Sequence, residues 1–106
     1  MTGVVTYNER IGLAKDAKVH IRLEDHTDRQ DAAVVVAEQT VLIGYSQAPI
    51  SFSLSFPGSR VKTNHSYSVS AEIEMGGRVW LRGRKLLRAA PTKNLRNITI
   101  AVSSVE

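Results

Sequence analysis

The sequence predicts an all-β fold, a single-domain antiparallel β-sandwich of about seven strands, and three observations carry that prediction. Twelve Val, seven Ile and seven Thr make about a quarter of the 106 residues, and β-branched side chains suit a pleated surface better than a helix. Apolar and polar residues alternate with period two through several stretches. Glycine and proline fall between those stretches. A chain of this length is expected to form one domain, residues 1–106, and its 42% hydrophobic and 23% charged content excludes a disordered tail or a fibre.

The elements follow in order. A first strand is expected at about 2–9, with Val5 and Tyr7 on one face. In the second, Val19, Ile21 and Leu23 alternate with His20, Arg22 and Glu24. Residues 33–43 are read as a third: Ala32, Ala33 and Ala37 permit a helix, but the branched side chains of Val34, Val35 and Val36 crowd the preceding turn. Both of its faces are apolar, Val34 and Val36 on one, Val35, Ala37, Val41 and Ile43 on the other, which predicts a bulge or a change of face. Ile50, Phe52, Leu54 and Phe56 then alternate with Ser51, Ser53 and Ser55. Tyr67, Val69, Ala71 and Ile73 alternate with Ser68, Ser70, Glu72 and Glu74. In the last strand, at about 97–105, Ile98, Ile100 and Val102 share a side. The breaks are Gly44 to Pro49, Pro57-Gly58-Ser59 and Met75-Gly76-Gly77. Residues 84–90 are good helix formers but span barely two turns before Pro91, so they make at most a short helical turn.

The Met75-Gly76-Gly77 break sets the register of the strand after it. A three-residue loop with Gly77 left-handed places Glu74 opposite Arg78 and Ile73 opposite Val79. A two-residue loop sets Ile73 opposite Trp80 and drives Arg82 into the apolar face, a charge desolvation of several kcal/mol in order of magnitude. The three-residue loop is therefore expected, and Arg78, Trp80, Arg82 and Arg84 point outward beside Glu72 and Glu74.

The net charge of +4 is unevenly spread. Residues 1–59 hold five Lys/Arg against seven Asp/Glu, and residues 60–106 hold nine against three. Arg78, Arg82, Arg84, Lys85, Arg88, Lys93 and Arg96 follow one another with no intervening acid. Such a block is either a solvated face or a surface for anions and acidic partners. Trp80 among arginines suits a docking surface, because Trp and Arg dominate binding hot spots. Arginine stems lying over the indole need no partner at all.

Catalytic and metal constellations are not evident, and neither an enzyme nor a cofactor is expected. His20, His26, Asp25, Asp28 and Asp31 lack a metal-ligand spacing. Ser46, in Gly44-Tyr45-Ser46-Gln47-Ala48, lacks the second glycine of a nucleophile elbow. Phosphate-loop and dinucleotide fingerprints are absent, as are cysteines. Asn64-His65-Ser66 and Asn97-Ile98-Thr99 match the glycosylation triplet, a pattern frequent by chance. No apolar run reaches the ~18–20 residues of a membrane-crossing helix. A nucleic-acid-binding β module is the remote alternative, disfavoured by the single Trp in the basic region and the net-acidic first half.

The opening Thr2-Gly3-Val4-Val5-Thr6-Tyr7-Asn8-Glu9-Arg10-Ile11-Gly12-Leu13, followed by Asp16 to Asp25, resembles the start of a family of small bacterial lipoproteins that includes YbaY-like proteins and type III secretion pilotins of the YscW/ExsB kind. Ala37-Glu38-Gln39-Thr40, Pro49 to Leu54, and Tyr67 to Ile73 with Gly77 and Arg78 follow the family's strand blocks in order. Ala14 departs from the usual proline, and Arg82 to Arg96 is more basic than in the YbaY-like branch. The resemblance implies a β-sandwich held at the periplasmic side of the bacterial outer membrane by an N-terminal lipid, its anchoring cysteine lying upstream of Met1. In the pilotin branch it further implies a monomeric chaperone that binds a secretin subunit, typically through that subunit's C-terminal tail, and carries it to the outer membrane for ring assembly. The YbaY-like branch would have no secretin partner. Edge-strand addition and helix docking both remain open as binding modes, and Arg78, Trp80, Arg82 and Arg84 are the expected contact residues.

Overall fold

Seven strands form in chain order: β1 (Thr2–Tyr7), β2 (Lys18–Asp25), β3 (Val34–Leu42), β4 (Ile50–Ser53), β5 (Tyr67–Met75), β6 (Arg78–Leu86) and β7 (Ile98–Ser104). The computed structural model describes residues 1–7, 16–27, 33–43, 49–92 and 94–105. Asp28, Asp31, Ser46 and Lys93 lie outside the described residues. The strands join in one sheet of order β3-β2-β5-β6-β7-β1-β4, rolled until its two edge strands approach each other. This is the expected all-β, seven-strand architecture.

Alternation decides what is buried. Val19, Ile21 and Leu23 of β2 face Val69, Ala71 and Ile73 of β5 across the sheet, and Ile98, Ile100 and Val102 of β7 lie beside Gly3, Val5 and Tyr7 of β1. The two inner faces close on one core, completed by Ile50, Phe52, Leu54 and Phe56, all buried although β4 ends at Ser53. Along one wall, then, the sheet runs β3-β2-β5-β6; along the other it runs β7-β1-β4.

Three details differ from the sequence expectation. The β1–β7 pair is parallel, because β7 returns to the sheet beside β1 in the same direction; the other pairs are antiparallel. Residues 84–86 continue β6 rather than turning helical, and the 3-10 turn lies at Gly58–Arg60 instead. Bonding to β5 wins over local helix propensity there, with Leu86 opposite Ser68 and the Leu87 N–H donating to the Tyr67 carbonyl at 3.0 Å.

The third difference is the hairpin register. The loop has two residues, Gly76 and Gly77, with φ of +60° and +78°, both left-handed as a type I′ turn requires. Met75 therefore opposes Arg78 and Glu74 opposes Val79, and a bulge then skips Trp80 so that Ile73 opposes Leu81. The bulge restores the phase that a bare two-residue loop would lose. Leu81 enters the core and Arg82 stands outside against Glu72. The cost of burying an arginine does shape this strand, but a bulge rather than a longer loop avoids it.

The expected irregularity in β3 is also a bulge. Val36 has no opposite residue between Val35 and Ala37. Its carbonyl and that of Val35 accept hydrogen bonds from the Arg60 guanidinium at 3.0 and 3.3 Å. Further along the seam, the Ser53 N–H of β4 donates to Gln39 Oε1 of β3 at 3.1 Å. These bonds occupy edge groups that would otherwise invite pairing with another chain.

Candidate partner-binding surface

The four residues singled out on β6 all stand outside the core, in two groups. Arg78 and Trp80 form one group beside the Gly76-Gly77 turn. The indole is 43% exposed, its Nε1–H donates to the Met75 carbonyl at 3.1 Å, and the Arg78 guanidinium lies 4.9 Å from the ring centroid. The hydrogen bond fixes the plane of the ring, and the cation covers part of it.

Arg82 and Arg84 belong to the second group. Arg82 donates to Glu72 Oε2 from Nε at 3.3 Å and from Nη2 at 3.1 Å. Glu72 Oε1 accepts from Arg22 Nη1 at 2.7 Å, and Arg22 Nε reaches Glu38 Oε2 at 3.4 Å. Charges thus alternate across four strands in the order Glu38, Arg22, Glu72, Arg82. Burial alone would raise the pKa of Glu72, but its hydrogen bonds from Arg82 and Arg22, and their charges, outweigh it and hold the carboxyl below its ordinary value. Burial likewise disfavours the charge of Arg22, and Glu72 and Glu38 more than offset that.

Arg84 stands beyond this ladder, opposite Ser70. With Arg22, Glu24, Ser70, Glu72, Arg82 and Gly83 it lines a shallow depression of about 410 Å³. The Ser70 hydroxyl donates to Glu24 Oε1 at 2.8 Å. The depression thus offers fixed charges of both signs and a cation without an ion-pair partner among the described residues. Its charged groups are the carboxylates Glu24 and Glu72 and the guanidinium groups of Arg22, Arg82 and Arg84.

The histidines sit elsewhere. His20 Nδ1 lies 3.1 Å from Thr40 Oγ1, and Nε2 lies 3.6 Å from Glu74. At the far end of β2, His65 Nδ1 contacts Asp25 Oδ2 at 2.6 Å, Asp25 Oδ1 accepts from the Thr27 N–H at 2.9 Å, and His26 meets the buried Ser68 hydroxyl. Burial would raise the pKa of Asp25, yet the bonds from His65 and Thr27 bring it down to about 2. Serine, histidine and aspartate do not form a relay here, because the carboxylate orients one imidazole and the hydroxyl meets the other. Among the described residues no three His, Cys, Asp or Glu side chains converge as a metal site would need. The Asp25–His65 pair ties the 61–66 loop to β2 across 40 positions of sequence, the His26–Ser68 contact ties the residue after β2 to β5, and no local pattern announces either.

Comparison with known proteins gives two matches. A family model described as type III secretion system lipoprotein chaperone (YscW) matches residues 1–100. Among solved structures, an alternative pilotin from the type II secretion system of Vibrio cholerae is 30% identical, with a TM-score of 0.88, and the likeness covers 100% of this chain and 96% of that one. Comparison with curated proteins finds no match.

Proposed function

We propose, from the premise that the chain belongs to the YscW family of type III secretion system lipoprotein chaperones, that it is a pilotin: it binds a secretin subunit and carries it to the outer membrane for ring assembly. The observation that carries this reading is the likeness, over the whole chain at 30% identity and a TM-score of 0.88, to a protein titled a pilotin. Both relatives are chaperones or pilotins rather than enzymes, in keeping with a surface of fixed charges. In this reading a lipid anchor holds the monomer at the periplasmic side of the outer membrane.

The contact surface in this reading is Arg78, Trp80, Arg82 and Arg84. A partly exposed indole with its ring plane fixed, next to cations, loses little entropy on docking, and an amphipathic secretin tail carrying carboxylates complements it. Calorimetry with the C-terminal tail peptide of a type III secretin from the same organism is the test. Binding is expected, and replacing Trp80 and Arg84 with alanine is expected to weaken it about tenfold or more with the melting temperature kept. Undiminished affinity removes this surface; no binding of the tail to the unaltered protein removes the type III reading.

The type II relative supports a second reading in which the partner is the secretin of a type II system. The same titration with the type II tail separates the two, since the cognate tail binds and the other does not.

A further inference from the structure

The strand registers place the two ends of the molecule without ambiguity. Thr2 lies beside Ser53, Gly3 beside Ile98, Tyr67 beside Asp25, Asp25 beside Val34, and Ser68 beside Leu86. The Thr2 N–H donates to the Leu95 carbonyl and the Leu54 N–H to that of Met1, at 3.0 and 2.8 Å. The start of β1, the end of β6 and the approach to β7 therefore form one pole, together with the 61–66 loop, whose Lys62 N–H donates to the Tyr67 hydroxyl at 2.8 Å. The Gly76-Gly77 turn, Lys18 and Asp16 mark the opposite pole.

Among the described residues, the pole that holds residue 1 is basic. Lys62, Lys85, Arg88 and Arg96 are all exposed there, and none of them has an ion-pair partner among the described residues. Asp25 and Glu24, at the same end of β2, are occupied, Asp25 by His65 and Thr27, Glu24 by Ser70. Leu86 and Val34 project from the same pole, 70% and 57% exposed. Among the described residues, the opposite pole mixes Asp16 and Glu74 with Lys18 and Arg78.

We propose that this basic pole, through Lys62, Lys85, Leu86, Arg88 and Arg96, lies against an anionic lipid surface. Its cations come from separate loops and strand ends, so they form a broad field. Apolar side chains rise among them, as at a headgroup boundary where cations meet phosphates and short apolar groups enter the acyl edge. Any segment ahead of residue 1 emerges at this pole, so an anchor carried there and the cations would act on the same membrane. The proposal stands on the placement of these side chains and does not depend on the secretin reading.

Co-sedimentation of the 106-residue chain with phosphatidylglycerol-containing vesicles and with neutral phosphatidylcholine vesicles is the test. Binding to the anionic vesicles at low ionic strength is expected, with loss in about 0.5 M salt, where the Debye length falls to a few ångströms. Each cation near such a surface contributes about fivefold in partitioning, so Lys85→Glu with Arg88→Glu and Arg96→Glu should reduce binding by more than about tenfold. The opposite-pole pair Lys18→Glu and Arg78→Glu should reduce it much less. Should the triple variant fail to fold by circular dichroism, Lys85→Glu alone is expected to reduce binding at least about fivefold. The proposal is overturned if the unaltered chain binds anionic vesicles no better than neutral ones. It is overturned equally if basic-pole and opposite-pole variants lose binding alike, which would report net charge only, or if the chain prefers a single-stranded oligonucleotide to the vesicles.

Discussion

The two walls of the rolled sheet bury similar apolar inner faces and turn opposite chemistries to water. Outside β3-β2-β5-β6 stand His20, Arg22, Glu24, Glu38, Glu72, Glu74, Arg82 and Arg84; outside β7-β1-β4 stand Thr2, Val4, Thr6, Ser51, Ser53, Thr99 and Ala101, without a charge. Both patterns satisfy the alternation a half-buried strand needs. Folding therefore asks only that the outer residues tolerate water, and it leaves the choice between hydroxyl and charge open. Alternation does not demand the charge of one wall, which makes that wall the place to look for recognition and the other a control surface for mutagenesis.

The largest effect is expected where the walls join. Gly83 of β6 sits at the crossing to β7, and a Cβ there would stand 2.0 Å from the Ala101 carbonyl oxygen and 2.8 Å from its carbon. Those are backbone atoms, which cannot move aside without opening the β6–β7 pairing. Gly83→Ala is expected to lower stability by about 3 kcal/mol or to abolish soluble expression. A urea midpoint within error of the parent would mean that the joint is loose and the two walls are separable sheets.

Removing Glu72 tests the charged wall itself. Glu72→Gln takes the shared carboxylate from both Arg22 and Arg82, and a loss of about 1–2 kcal/mol is expected in urea denaturation. Thr99→Ala on the other wall should change stability by less than about 0.5 kcal/mol. Equal losses from both would erase the distinction between the walls.

A pH-dependent effect of similar size is expected at Asp25. Its pKa is held at about 2 in the folded protein against an ordinary 3.8. The folded state therefore binds this proton more weakly than the unfolded chain does. The stabilisation is fully present above the unfolded value and disappears as pH falls through the folded one. Asp25→Asn should cost on the order of 1–2 kcal/mol near pH 6, and parent and variant stabilities should converge between pH 3.8 and about 2. Curves that stay parallel through that window would show that the carboxylate's charge contributes nothing.

The inner faces were legible in the sequence because alternation reports burial directly. Val19, Ile21 and Leu23, or Ile98, Ile100 and Val102, have one reading as strands, and all six are buried. Register was less legible. The argument that Arg82 must stay wet is a constraint on phase, and both a longer loop and a bulge at Trp80 satisfy it; only the geometry of the two positive-φ glycines chooses. The parallel β1–β7 pair was hidden for another reason, since strand direction in a rolled sheet depends on which edge the last strand reaches. Of the four expected contact residues, outward placement followed from period two. Their division into an Arg78–Trp80 group and an Arg82–Glu72 group did not, because it depends on Met75 and on cross-strand partners. The Asp25–His65 and His26–Ser68 contacts join residues about 40 positions apart, beyond the reach of any local pattern.

The smallest effect is expected at the tip of the charged wall, and it decides what Arg78 is for. Its guanidinium lies 4.9 Å from the centroid of Trp80, an exposed cation–π contact of about 0.5–1 kcal/mol. Arg78→Gln should lower stability by no more than that and shift the Trp80 emission maximum to longer wavelength, as water reaches the uncovered ring face. The Nε1–H bond to Met75 survives the substitution, so the ring plane stays where it is. If Arg78 serves only the indole, affinity for a tail peptide should hold in this variant and fall in Trp80→Ala. If affinity falls in both by a similar factor, the guanidinium meets the partner as well, and the turn end of β6 is a docking point in its own right rather than a shielded ring.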